Sequence, residues 1–277
     1  ISRLADPVAG LANHKDCLIC LKERDMAPGT GKTVALFATC INDTMFPGTP
    51  IAVVKVLERL GCKVVFPKEQ TCCGQMLTNT GYFKEAVPTV KSYVRAFEDY
   101  DYIVGPSGSC IGAVRHQHPM LAEHVGDKSL KAASEELVKR TYDFTEFLVD
   151  VLGLTDVGAY FPHRVTYHPT CHSVRVAHVG DRPYKLLQAV RGIDLVPLPD
   201  ADQCCGFGGT FCVKNSDVSV AMGADKARNV MSTGAEYLVT GDNACLMHIG
   251  GIMHRMNMGV KTIHLAEILA HTEEATA

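Results

Sequence analysis

The chain has 277 residues, 47% of them apolar and 21% charged, enough to bury one large domain or two of ordinary size and too apolar for a disordered chain. A net charge of −3 gives no electrostatic case for nucleic acid or an acidic membrane as the main partner, and no run approaches the roughly eighteen apolar residues of a bilayer span. Twelve cysteines, behind an N-terminus without the basic-then-apolar layout of a secretion signal, point to a cytoplasmic protein whose thiols serve metal or redox chemistry rather than a disulfide scaffold.

Residues 1–32 read as an N-terminal extension or linker. Cys17 and Cys20 form a Cys-x-x-Cys there, a spacing suited to metal or redox work, with no second knuckle nearby; the readings are an inert arm, a contribution to a partner's site, or an independent site. Pro28-Gly-Thr-Gly-Lys-Thr33 imitates the end of a phosphate-binding loop, but Met26 stands where that loop needs a glycine, and a strand follows where it needs a helix.

A first unit spans residues 33–155. VALFA (34–38) reads as a short buried strand, and Ile51 to Leu60 as an amphipathic helix closed by Gly61. KVVFP follows as a strand halted by Pro67; Phe83 to Glu98 reads as a helix with Pro88 in its first turns, and YIVG (102–105) as the next strand. A second unit, 160–271, runs the same way: VTYHP, a helix at Tyr184 to Val190, DLVPLP, a helix at Val218 to Met231, YLVTG, and VKTIHL leading into AEILA, before a tail at 272–277. Strands and helices alternating over such short crossovers require parallel strands. The fold class is α/β: two tandem pseudo-symmetric repeats, each a mostly parallel sheet flanked by helices.

The cysteines repeat with the elements. Cys40 is followed after 32 positions by Cys72-Cys73-Gly74, and Cys171 after 33 positions by Cys204-Cys205-Gly206. Cys110 then follows Cys73 by 37 positions and Cys245 follows Cys205 by 40. The unit ends echo one another too, Thr141–Leu148 against Thr262–Leu269. Four features in one order at near-equal spacing indicate a tandem duplication. Cys40, Cys110, Cys171 and Cys245 fall at or just past strand carboxyl ends, and the Cys-Cys-Gly triplets sit in loops after strands. In a parallel sheet those ends share one edge, where open α/β folds hold their ligands. Cys40, Cys72, Cys73 and Cys110 are therefore expected to form one metal site, and Cys171, Cys204, Cys205 and Cys245 another. Four thiolates suit an iron–sulfur cluster or Zn²⁺. Adjacent ligands fit zinc knuckles poorly and a multi-iron cluster well, with zinc kept as the alternative in the second repeat.

A cysteine, a Cys-Cys-Gly and a third-strand cysteine, repeated, resemble the cysteine-rich CCG domain of heterodisulfide-reductase-like iron–sulfur proteins. The stretches CCGQMLTNTGY (72–82), PSGSC (106–110) with RHQHP (115–119), and CCGFGGTF (204–211) resemble that family's lactate-utilization iron–sulfur subunits. The resemblance implies one or two [4Fe–4S] clusters, cubane or non-cubane, in a subunit of a cytoplasmic complex that oxidises L-lactate to pyruvate and passes electrons toward a quinone or other acceptor. It also implies partner subunits, one of them holding cubane clusters, and peripheral association with the inner face of the membrane. The chain would be part of an enzyme without being catalytic alone, and no catalytic residue is assigned. The family's fullest motif ends in Cys-x-x-Cys, whereas Ile111-Gly112-Ala113 follow Cys110 and Leu246-Met247-His248 follow Cys245, which weighs against a five-cysteine cluster. A disulfide-reducing subunit, an iron–sulfur subunit for glycolate, glycerol-3-phosphate or succinate oxidation, and a zinc-stabilised scaffold remain open.

Other candidates have plainer readings beside the sharper ones. Cys62 reads as a small core thiol, and Cys212 as a neighbour of the second triplet. Arg115, His116 and His118 either offset thiolate charge or sit on the surface. His168 and His172 flank Cys171 as outer-shell groups, and His248 is a fifth ligand, an outer-shell group or an ordinary helix residue.

Overall fold

The computed structural model describes residues 27–273. Among the described residues eight strands form two sheets: β1 (Thr33–Leu36), β2 (Lys63–Val65), β3 (Tyr102–Gly105) and β4 (Thr141–Asp143) in the first, β5 (Arg164–His168), β6 (Asp194–Val196), β7 (Tyr237–Thr240) and β8 (Lys261–His264) in the second. The strand orders are β2-β1-β3-β4 and β6-β5-β7-β8, and every neighbouring pair is parallel. The α/β duplication is thus present, with the same order in both halves. Val34, Ala35 and Leu36 of the central β1 are all buried, as a strand covered on both faces by helices requires.

The helices bury one stripe each. In Phe83–Phe97 the buried residues Ala86, Val87, Val90, Tyr93, Ala96 and Phe97 recur at three- and four-residue steps, and Pro88 lies within the helix. The main core does not respect the repeat boundary: Val53 and Leu57 of one half share it with Leu265 and Leu269 of the other. Each repeat's last helix packs on the partner repeat, Leu265–Ala270 against Gly48–Arg59 and Phe144–Glu146 against Arg182–Gln188. Arg59 fastens this arrangement by donating to the Leu269 carbonyl at 2.6 Å and the Val157 carbonyl at 3.1 Å.

Several elements differ from expectation for identifiable reasons. β2 and β6 stop at Val65 and Val196, ahead of the prolines, because a proline offers no N–H to a ladder. The expected helix at Tyr184–Val190 runs from Arg182 to Gln188, with Pro183 in the first turn, where its missing N–H costs nothing. β4 is a strand of three residues, too short to show a period. The helices Lys128–Val138 and Asn243–Arg255 were not expected from the sequence; in the latter, Gly250 and Gly251 depress helix propensity, and burial of Leu246, Ile249 and Met253 compensates.

Candidate metal centre

Both sheets deliver thiols to their carboxyl edge by the same local devices. Cys40 opens the helix Cys40–Met45 after β1, and Cys171 opens Cys171–Arg175 after β5. Cys110 lies in the helix Gly108–Gly112 after β3, and Cys245 in Asn243–Arg255 after β7. The residues just before the first thiols, Thr39 and Thr170, take φ of 69° and 48°, an unusual backbone for β-branched side chains that swings the cysteine inward.

The triplet glycines have a double requirement. Gly74 and Gly206 have φ of 81° and 88°, and a Cβ there would meet Thr89 Oγ1 at 2.3 Å and the Ser219 carbonyl at 2.7 Å. The close approach is to the following helix, not to the thiols themselves. Each glycine N–H then donates to the sulfur two residues back, Gly74 to Cys72 Sγ and Gly206 to Cys204 Sγ, both at 3.4 Å.

The sulfurs gather as the spacing predicts. Cys40 Sγ lies 3.6 Å from Cys72 Sγ, Cys171 Sγ 3.8 Å from Cys204 Sγ, and Cys205 Sγ 3.2 Å from Cys245 Sγ. Cys73 and Cys110 complete the first group, lining the same cavity as Cys40 and Cys72. All eight are free thiols, and all eight line a single cavity between the repeats, together with Ile41, Met76 and Phe207. In both halves the leading thiol of the pair is pulled strongly toward the thiolate. Cys72 accepts hydrogen bonds from Cys40 and the Gly74 N–H, and Cys204 accepts them from Cys171 and the Gly206 N–H. Cys40 and Cys171 are pushed up, first by donating to those sulfurs and then by burial. Four crowded thiols cannot all ionise without a cation, so metal binding must expel protons and weaken as pH falls. This soft, deprotonatable donor set fits a thiolate-bound metal centre in each repeat.

The N-caps of the helices carrying Cys110 and Cys245 meet across the seam between repeats. Asp242, buried, accepts from Ala244 N–H at 3.0 Å in its own helix, and from Ser107 Oγ at 3.1 Å and Ser109 N–H at 2.9 Å in the other repeat. Asn243 donates to Asn42 Oδ1 at 2.9 Å and Thr49 Oγ1 at 2.8 Å. These residues were missed in the sequence; the signal was there, since Ser and Asp three positions before the last thiol of each set are helix-capping types.

The remaining candidates separate. Arg115 does not face the thiols: it forms a bidentate pair with Glu146 at 2.6 and 3.1 Å and donates to the Thr141 and Ala177 carbonyls. His116 donates to the Val176 carbonyl at 2.8 Å on the surface. His118 is buried and donates to the Cys73 carbonyl at 2.9 Å, so it supports the first triplet from behind, and burial lowers its pKa to about 4. His172 lines the cavity with Nδ1 3.6 Å from Cys171 Sγ. His248 contacts Ser219 at 3.3 Å rather than sulfur, Cys212 donates to the Gly209 carbonyl at 3.0 Å, and Cys62 is a core residue. His168 is fully buried; desolvation, then Lys226, brings its pKa to about 4. Cys17 and Cys20 lie outside the described residues.

A family profile described as a cysteine-rich domain, CCG, matches residues 34–115 and 165–250. Lactate utilization protein A of Oceanobacillus iheyensis is 49% identical over 245 residues, covering 88% of this chain and 99% of that protein. Lactate utilization protein A of an Exiguobacterium species is 47% identical, covering 85% of this chain and 96% of its own. Among solved structures, a glutamate racemase from Francisella tularensis is 11% identical over 86% of this chain and 78% of its own, with a TM-score of 0.32, too slight a likeness to inform the fold. Both thiol-bearing repeats fall within the matched stretches, and the chain belongs to the CCG cysteine-rich domain family, among relatives named lactate utilization protein A.

Proposed function

We propose that this chain is an iron–sulfur electron-carrying subunit of a complex that oxidises L-lactate to pyruvate. The observation that carries the reading is the pair of four-thiol groups opening on one shared cavity. The first group would be held by Cys40, Cys72, Cys73 and Cys110, the second by Cys171, Cys204, Cys205 and Cys245. An iron–sulfur centre supplies a one-electron couple whose potential depends on hydrogen bonds to sulfur and on solvent access. This chain's contribution to that couple is visible in its own groups. The Gly74 and Gly206 N–H groups donate to sulfur, the cavity walls limit water, and the Asp242–Ser107 contact fixes the two thiol-bearing helices relative to each other. Lactate oxidation releases two electrons, and two adjacent one-electron sites suit their sequential passage. The lactate assignment rests on the names of the relatives.

In this reading the chain works with a subunit holding cubane clusters and a third small subunit, in the cytoplasm and against the inner face of the membrane through those partners. It hands electrons toward a quinone or other acceptor. Among the described residues no helix is long and apolar enough to cross a membrane. The isolated chain is expected to be inactive with lactate and a dye acceptor, because no substrate-oxidising group is identified in it. Turnover by the chain alone would sink the relay role.

A second reading has one observation in its favour. The Sγ separations of 3.6 and 3.8 Å match two thiolates on one tetrahedral ion, for which Zn–S bonds of about 2.3 Å give roughly 3.8 Å. That geometry suits a zinc-stabilised scaffold. Metal and acid-labile sulfide analysis of anaerobically purified protein decides between them. Iron with matching sulfide supports the electron carrier; zinc without sulfide replaces it with the scaffold.

A further inference from the structure

Three residues before the first thiol, the repeats part company. In the first, Phe37 is fully buried and packs edge-on against Tyr93 and Phe97, with ring centroids 5.1 and 5.6 Å away. The corresponding residue in the second is His168, equally buried, and neither of its ring nitrogens has a hydrogen-bond partner. Native interiors rarely leave such a group unsatisfied, and each exception calls for a reason. The Ala201 carbonyl acts on the ring without forming a hydrogen bond of ordinary geometry. What lies within reach is sulfur: a ring nitrogen of His168 and the Sγ atoms of Cys205 and Cys245 all lie within 4.8 Å of one another, and all three residues are buried. Neutral imidazole is a ligand suited to both iron and zinc.

We propose that His168 is a metal donor of the second repeat, so that the two centres differ in kind: thiolates alone in the first, thiolates with an imidazole in the second. A second difference points the same way. Gly206 packs on the Ser219 carbonyl as Gly74 packs on that of Ala86; seven residues further along the helix the second repeat has Lys226, where the first has Tyr93. Lys226 is buried and donates to the Asp200 carbonyl. With equal numbers of thiols, the second centre gains a neutral donor and a buried lysine, beside the buried Asp242 that bears on Cys171 and Cys245.

Metal binding by the second repeat is a premise shared with the functional reading, and the role of His168 holds for iron or zinc. The test is X-ray absorption at the edge of the resident metal in the purified full chain, with pulsed EPR of the reduced state where the metal is iron. Protein labelled with ¹⁵N-histidine identifies the nitrogen. The expected result is a histidine nitrogen bound to metal that disappears in His168→Phe, the residue type of the first repeat, while the His172→Gln and His248→Gln variants retain it. Should His168→Phe fail to fold, His168→Cys offers a thiolate at the same place and should exchange the nitrogen signal for sulfur. Sulfur-only coordination in the metal-loaded wild type, or a histidine nitrogen that survives both substitutions, overturns the inference and leaves the functional reading standing. A second repeat that binds no metal overturns both.

Discussion

In both repeats the first thiol meets the leading thiol of the Cys-Cys pair, at 3.6 Å in one and 3.8 Å in the other, and a glycine N–H donates to that leading sulfur at 3.4 Å. Behind the sulfurs the resemblance ends. The first repeat has an aromatic wall of Phe37, Tyr93 and His118, whereas the second has His168 and Lys226. The seam between them is uneven as well. Gly108 leaves room for Ser173 on one side, while on the other Asn243 reaches Asn42 with a hydrogen bond. Gathering the thiols thus depends on features both halves share: parallel strands of matching order and a left-handed glycine against a helix. What surrounds them is free to differ, and it is the layer one residue out that gives each centre its own character.

The largest expected effect tests whether the centres are independent. Cys72→Ser and Cys204→Ser each remove the sulfur that accepts hydrogen bonds from two neighbours. Each should strip the metal from its own repeat, about half of the total, as read by metal analysis of the purified variants. Loss of both metals from either substitution would show that the repeats load as one unit.

Next come the buried caps of the two final helices, Asp143 in the first repeat and His264 in the second. Burial raises Asp143 from 3.8 to about 6, despite its hydrogen bonds from Thr145. Its folded state therefore holds the proton more tightly than the unfolded one. The stabilisation is complete below about pH 3.8 and is lost as pH rises through about 6, on the order of 3 kcal/mol at about 1.4 kcal/mol per unit. His264 runs the opposite way: burial lowers its pKa from 6.5, so its contribution is present above that value and lost as pH falls. Urea unfolding across pH should show Asp143→Asn flattening the first slope and His264→Asn the second. If the two profiles match wild type, the caps do not carry this contrast.

The smallest effect probes the seam. A Cβ on Gly108 would lie 1.8 Å from Ser173 Oγ. Gly108→Ala should cost roughly 1–3 kcal/mol, because the Ser173 hydroxyl is held by Thr170 Oγ1 at 2.7 Å and the Ser173 Cβ would still lie 3.0 Å away. Adding Ser173→Gly should return most of that loss in a double-mutant cycle followed by denaturant unfolding. Additive losses would mean the two residues do not share the space.

Much of this was legible because it is periodic. The near-equal cysteine spacings and the alternating apolar runs are enough to bring Cys40, Cys72, Cys73 and Cys110 to one edge, and their four counterparts to another. The reason for the glycine of each triplet was not legible, because its neighbour, Thr89 or Ser219, lies on a helix more than ten residues away. Arg115 shows the opposite failure. Proximity in sequence to Cys110 suggested a role beside the thiols, but Glu146 and two carbonyls claim its guanidinium. The capping roles of Ser107 and Asp242 are local and legible, but their contact with each other across the repeats is not.

Thr39 and Thr170 bring a liability along with their geometry. A β-branched residue held at positive φ carries strain of roughly 1–3 kcal/mol, and it persists only while its surroundings insist on it. Once the sulfurs have nothing to grip, that insistence weakens at two matching corners of the chain. Demetallation would then be felt first as loosening there, and the protein would begin to unravel from the very bends that aim its thiols.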